Sequence, residues 1–183
     1  MGHETRYLAQ IAVIILAKSW EDGLSKHDGL LELGRDVERE IQNLRVRTKD
    51  FGIIQFKDVC ANTKATLGKS CQKNDILELD FEIMEAIRNG GLPWKYPIFE
   101  NPISKAKYFL PASLGNLSLS IDKDILKEAT SLRLAFVLDA KDKPVQSDLW
   151  QRAVLDHISK KVRKARLFKM DKSIWDFIIL SSF

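Results

Sequence analysis

Apolar residues recur along this chain with two different periods, and the change of period divides it. Leu30, Leu33, Val37, Ile41 and Leu44 step by three and four. That spacing predicts an amphipathic helix from about Asp28 to Arg47. Arg35, Asp36, Glu38, Arg39 and Glu40 fill its other side, and mixed signs at this spacing make a self-paired, solvated face. Ahead of it, ETRYLAQIAVIILAKSW is apolar on most sides. It predicts a central core helix with Tyr7, Leu8, Ile11, Ile14 and Ile15 inward and a stop at Gly23.

The stretch FGIIQF reads as a short strand, and FKDVCANTKATLGKS as a short helix ending at Gly68. Two short helices joined by a turn would resemble the frame of a helix-turn-helix. Asn74 and Asp75 then look like a cap for DILELDFEIMEAIRNGG, with Leu77, Phe81, Met84 and Ile87 on one face. Gly90 and Gly91 end that acidic helix. LPWKYPIFENP, with three prolines and three aromatics, predicts an extended crossing that packs down.

Beyond the crossing the period shortens to two. NLSLSI and SLRLAFVLDA alternate and predict strands, with a helical turn at DKDILKEA between them. KDKP is a turn, residues 148–170 a long helix, and SIWDFIILSSF a final strand. The expected fold class is therefore α+β and mainly helical. A helical N-terminal half (1–91) joins, through the 92–102 crossing, a small mixed C-terminal half (103–183) with a few strands and one long basic amphipathic helix. The two halves share a core.

Composition narrows this picture. The chain has 183 residues, 45% hydrophobic and 30% charged, which suits a globular protein with a real core. Leu8 to Ala17 is too short for a membrane span, which needs about 20 apolar residues. Glu4 beside Arg6 makes a poor signal leader. Cys60 and Cys71 form neither a disulfide framework nor a zinc pattern. They read as two thiols in the reducing cytoplasm, with no membrane partner. His3, His27 and His157 are scattered, and there is no P-loop, GxGxxG or GxSxG motif.

Charge changes the picture most. From Leu149 to Lys172 eight lysines and arginines stand against two aspartates, a net of +6 in a chain of +4. On a helix, Trp150, Val154, Ile158, Val162, Ala165 and Phe168 fall on one side. Arg152, Lys160 and Arg163 fall on the other, with Lys164 and Arg166 at its margins. Such a ridge suits a phosphate backbone, with salt-sensitive and sequence-independent affinity. It equally suits the wet side of a docked helix, or pairing with the acidic helix 75–88.

One stretch carries candidate chemistry. In FVLDAK, Asp139 and Lys141 stand two apart, on one face of a strand. This acid-x-lysine pair resembles that of the PD-(D/E)xK nucleases. The resemblance implies a carboxylate holding Mg²⁺ and a lysine steadying the attacking water or the charge on phosphate. Asp122 or Asp124 would supply the second acid and Glu128 a third. The same residues also read as a polar turn.

Three functions are thus expected. The first is a non-enzymatic, nucleic-acid-associated accessory subunit that contacts DNA or RNA through Arg152, Lys160, Arg163, Lys164 and Arg166, without a cofactor. The second is a Mg²⁺-dependent nuclease. The third is a protein–protein adaptor using the crossing around Trp94, Tyr96 and Phe99.

Overall fold

The computed structural model describes residues 8–17, 19, 21, 23–24, 29–63, 70–167 and 175–182. It opens with a strand where the sequence predicts a helix. Strand β1 (Leu8–Ala17) runs through the middle of the main sheet, between two antiparallel partners. Ile11, Val13 and Ile15 are fully buried on one face, and Ala12 is nearly so on the other. Ile14 and Leu16 on the second face are only half-buried but equally apolar, so the strand reads as a continuous apolar run, which periodicity cannot tell from a core helix. The β-branched residues Ile11, Val13, Ile14 and Ile15 suit the pleat.

Helix α1 (Leu30–Gln42) follows as expected, burying Leu30, Leu31, Val37 and Ile41. Gly34 lets it approach the sheet, because a Cβ there would collide with Leu132 Cδ2. Residues 43–113 then form a long excursion. Strands β2 (Val46–Thr48) and β3 (Gly52–Ile54) make a hairpin, and α2 (Phe56–Val59) is a single turn. Strands β4 (Asn62–Thr63) and β5 (Ser70–Cys71) pair next, so a helix-turn-helix frame does not form. The predicted end of that helix at Gly68 lies outside the described residues.

The acidic helix is also shorter than predicted. A 3₁₀ turn at Asp75–Glu78 breaks at Leu79 and Asp80 before α3 (Phe81–Arg88) begins. Arg35 of α1 takes the freed carbonyls of Leu77 and Leu79, at 3.0 and 2.9 Å. Phe81 faces outward, unlike Ile83 and Met84. The crossing carries β6 (Trp94–Lys95) and β7 (Ile98–Glu100), and β7 pairs with β8 (Lys107–Phe109).

The chain rejoins the sheet through β9 (Leu114–Leu119) and the long β10 (Ile125–Asp139). DKDILKEA is a turn and the start of β10, not a helical turn. A bulge between Leu126 and Glu128 interrupts the alternation there and hides the strand in the sequence. Helix α4 (Pro144–Leu167) and strand β11 (Trp175–Ser182) complete the fold.

The strand order is β11-β1-β10-β9, with β6 also paired to β10, and every pairing is antiparallel. Leaving out the excursion, the succession is β1-α1-β9-β10-α4-β11. This is the split β-α-β, or ferredoxin-like, arrangement. Both long helices cover one face of the sheet: Gly34 sits on Leu132, and Trp150 of α4 lies 6.4 Å from the Phe136 ring. Phe56 joins that aromatic group at 5.2 Å from Trp150, which ties α2 of the excursion to α4 and β10. The protein is a mixed α+β fold and not mainly helical. No helix among the described residues is long and apolar enough to cross a membrane.

Candidate interaction surfaces

The first part of helix α4 docks as its spacing predicts, and the side chains of Val162, Ala165 and Phe168 lie outside the described residues. Trp150, Val154 and Ile158 are buried, and the side chains of Arg152 and Lys160 stay about three-quarters exposed. The cations are not idle, however. Arg152 pairs with Asp148 at 3.0 Å and Lys160 with Asp156 at 2.6 Å, each one turn back. Lys161 pairs with Glu40 of α1, and His157 Nε2 lies 2.7 Å from the same carboxylate. Burial pushes the Glu40 carboxyl up, but hydrogen bonds and charge from Lys161 and His157 outweigh it and hold the pKa below its ordinary value. Among the described residues, the acid from another element that meets the basic helix is thus Glu40 of α1. Arg163, Lys164 and Arg166 occupy the last turns of α4, and their side chains lie outside the described residues.

The nuclease constellation is not brought together. Asp139 ends β10 and shapes the turn into α4. Its Oδ1 accepts from Asp142 N at 3.1 Å, and its carbonyl accepts from Ser147 Oγ at 3.1 Å. Lys141 follows within that turn. Asp122 and Asp124 sit in the β9–β10 turn, where Asp124 accepts from Ser120 Oγ at 2.8 Å. The 15 residues of β10 separate the two groups. At a strand rise of 3.2–3.4 Å that is roughly 45 Å along the chain. Glu128 is engaged elsewhere, accepting from the backbone of Leu24 and Ala129. Among the described residues no group of three or more His, Cys, Asp or Glu could hold a metal ion.

Cys60 and Cys71 are not free thiols; they form a disulfide, with Cα atoms 5.5 Å apart. The excursion folds back on itself, so two residues separated by 11 positions meet beside β10. Nothing in the spacing alone marks them as a pair.

The bridge lies next to an unusual sheet edge. Strand β9 leaves β10 at Leu132, and β10 runs on to Asp139. The edge it vacates is closed by three separate groups. Arg133 N donates to Ser113 O at 2.7 Å, Ala135 N donates to the Asn74 side chain at 2.7 Å, and Ala61 N donates to Val137 O at 2.9 Å. Cys60 bridges Leu138 in the same line. A cleft of about 280 Å³ opens beside this edge, lined in part by Gln10, Asn74, Tyr108, Phe109 and Arg133.

The hairpin β7–β8 presents a second kind of surface. Its three cross-strand pairs differ in turn: Ile98 with Phe109, Phe99 with Tyr108, and Glu100 with Lys107. The middle pair is buried and stacks on Trp94, whose ring lies 5.2 Å from Phe99. The outer apolar pair is open, with Ile98 50% and Phe109 57% exposed. Ile103, in the connecting loop, is more exposed still. The adaptor expectation named Trp94, Tyr96 and Phe99. Two of those, Trp94 and Phe99, anchor the hairpin from within, and Tyr96 is half-buried. Their neighbours form the outward surface. The alternation in IFE and KYF carried that signal, but each run is only three residues long.

Compared with known proteins, the chain matches no family model and no curated sequence.

Proposed function

We propose that this protein is a non-enzymatic interaction module that docks a protein partner through the outer face of hairpin β7–β8. The observation that carries this reading is the exposed pair Ile98 and Phe109, directly opposed across the hairpin, with Ile103 beyond it. An open apolar pair of this kind gains on burial, about 25 cal/mol for each Å² removed from water. Aromatic residues held on a rigid base are the usual anchors of protein interfaces. The buried Trp94, Phe99 and Tyr108 supply that rigidity.

The disulfide supports a reading of the compartment. The cytoplasmic expectation rested on two free thiols and on the poor signal leader; disulfides, however, persist where the surroundings are oxidising. We place the working protein in such a compartment.

A second reading, DNA or RNA contact through α4, is favoured by the exposed Arg152, Lys160 and Lys161 and by Arg163, Lys164 and Arg166 in the same helix. It ranks lower because three of these cations already have acidic partners, which dilutes the field a phosphate backbone would meet.

The test compares three proteins: wild type, Ile98→Glu with Phe109→Glu, and Arg163→Glu with Lys164→Glu and Arg166→Glu. Each is immobilised in extract from its source and also titrated with labelled duplex and single-stranded nucleic acid across a salt series. A protein retained by wild type and by the α4 variant, but lost from the hairpin variant, supports the first reading. Salt-sensitive nucleic-acid binding abolished only in the α4 variant would replace it with the second.

A further inference from the structure

The covered edge of β10 carries a latch. We infer that the Cys60–Cys71 disulfide keeps this edge closed, and that a chain lacking the bond pairs there with a second copy of itself.

Two of the three groups that close the edge sit beside the bridge in sequence. Ala61 is the next residue after Cys60, and Asn74 lies three after Cys71. Ala61 N and the Asn74 side chain account for the contacts at Val137 and Ala135. Cys60 itself lies in register with Leu138. The third group, Ser113 O, belongs to the chain entering β9 and does not depend on the bridge. Opening the disulfide cuts the one covalent tie between the two segments that cover Ala135 to Leu138, and leaves the start of the edge in place.

What is uncovered favours a second copy over other occupants. The segment Arg133–Leu138 reads RLAFVL. It has strong strand formers, one charge, no proline and no glycine, which is the composition that pairs with itself when an edge is open. Antiparallel strand addition is self-complementary, so two such edges satisfy each other. The rest of the sheet stays intact, because β1 holds the opposite side of β10 from Leu8 to Leu16.

The chemistry of opening is thiol–disulfide exchange with a dithiol reductant. The reductant closes its own ring disulfide, and Cys60 and Cys71 each gain one electron and one proton.

The experiment uses the full chain oxidised, treated with dithiothreitol, and as Cys60→Ser with Cys71→Ser. Light scattering after size exclusion gives the mass, and hydrogen exchange gives local protection. The oxidised chain is expected at 20.9 kDa and the opened chains at about twice that mass at high concentration. On dilution of the opened chains, exchange at Ala135 should rise at least about tenfold while Val13 and Ile15 stay protected. Adding Val137→Lys to the opened chain should return it to the monomer. Opened chains that stay monomeric with Ala135 protected would overturn the inference. So would loss of protection at Val13 and Ile15, since the bond would then hold the whole fold and not one edge. Hydrogen exchange on the reduced wild type decides the matter even where a variant fails to fold.

Discussion

The Asn74 side-chain oxygen accepts the amide proton of Ala135 at 2.7 Å, across 61 positions of chain. The other end of the same amide donates to Glu38 of α1 at 2.7 Å. One buried residue therefore joins the excursion, the first helix and the edge of the sheet. Its polarity is what lets a non-strand segment complete a strand's hydrogen bonding.

Asn74→Ala should destabilise the protein by about 1–3 kcal/mol, because the Ala135 amide and the Glu38 carboxylate both lose a buried partner. Urea denaturation checks this as a lower midpoint with an unchanged slope. Asn74→Asp should not restore full stability. It keeps an acceptor for Ala135 but sets a second carboxylate against Glu38.

The Glu40 carboxyl has a pKa below its ordinary value of 4.5, since Lys161 and His157 favour its charged form more than burial opposes it. A carboxyl depressed in the folded state stabilises above its unfolded pKa and loses that contribution as pH falls through the folded value. Stability measured by thermal melting should therefore drop as pH falls below 4.5. In Glu40→Gln that part of the drop should be missing, with a lower melting temperature at neutral pH.

Gly34→Ala should cost about 1–3 kcal/mol, although alanine is the better helix former by roughly 1 kcal/mol. The added methyl would collide with Leu132 Cδ2 and press on Leu77 Cδ2 at 3.1 Å. Pairing it with Leu132→Ala should recover part of the loss that the two changes would otherwise sum to. A double-mutant cycle on unfolding free energy measures this.

Within hairpin β7–β8 the inward and outward aromatics should behave oppositely. Phe99→Ala removes a ring buried between Trp94 and Tyr108 and should cost about 3–5 kcal/mol. Phe109→Ser, on the open face, should change stability by less than about 0.5 kcal/mol. Chemical denaturation of the two variants separates anchor from surface.

By itself the sequence determined the elements that have one dry face and one wet one. Helix α1, the first part of α4, the latter half of β10 and the turn after Asp139 are all visible as period 3.6, period 2 or turn residues. The basic concentration on α4 was legible for the same reason, since charge needs no partner to be counted. The tertiary structure decided the rest. β1 is apolar on both faces, so its residues show no period until β10 and β11 flank it. The 3₁₀ turn before α3 breaks where Arg35 reaches it from 42 positions away. The disulfide, the bulge that hides the start of β10 and the three-part cover of its edge all join residues that meet only in the folded chain. Their energies exist only once the backbone has brought those residues together, and no local pattern records them.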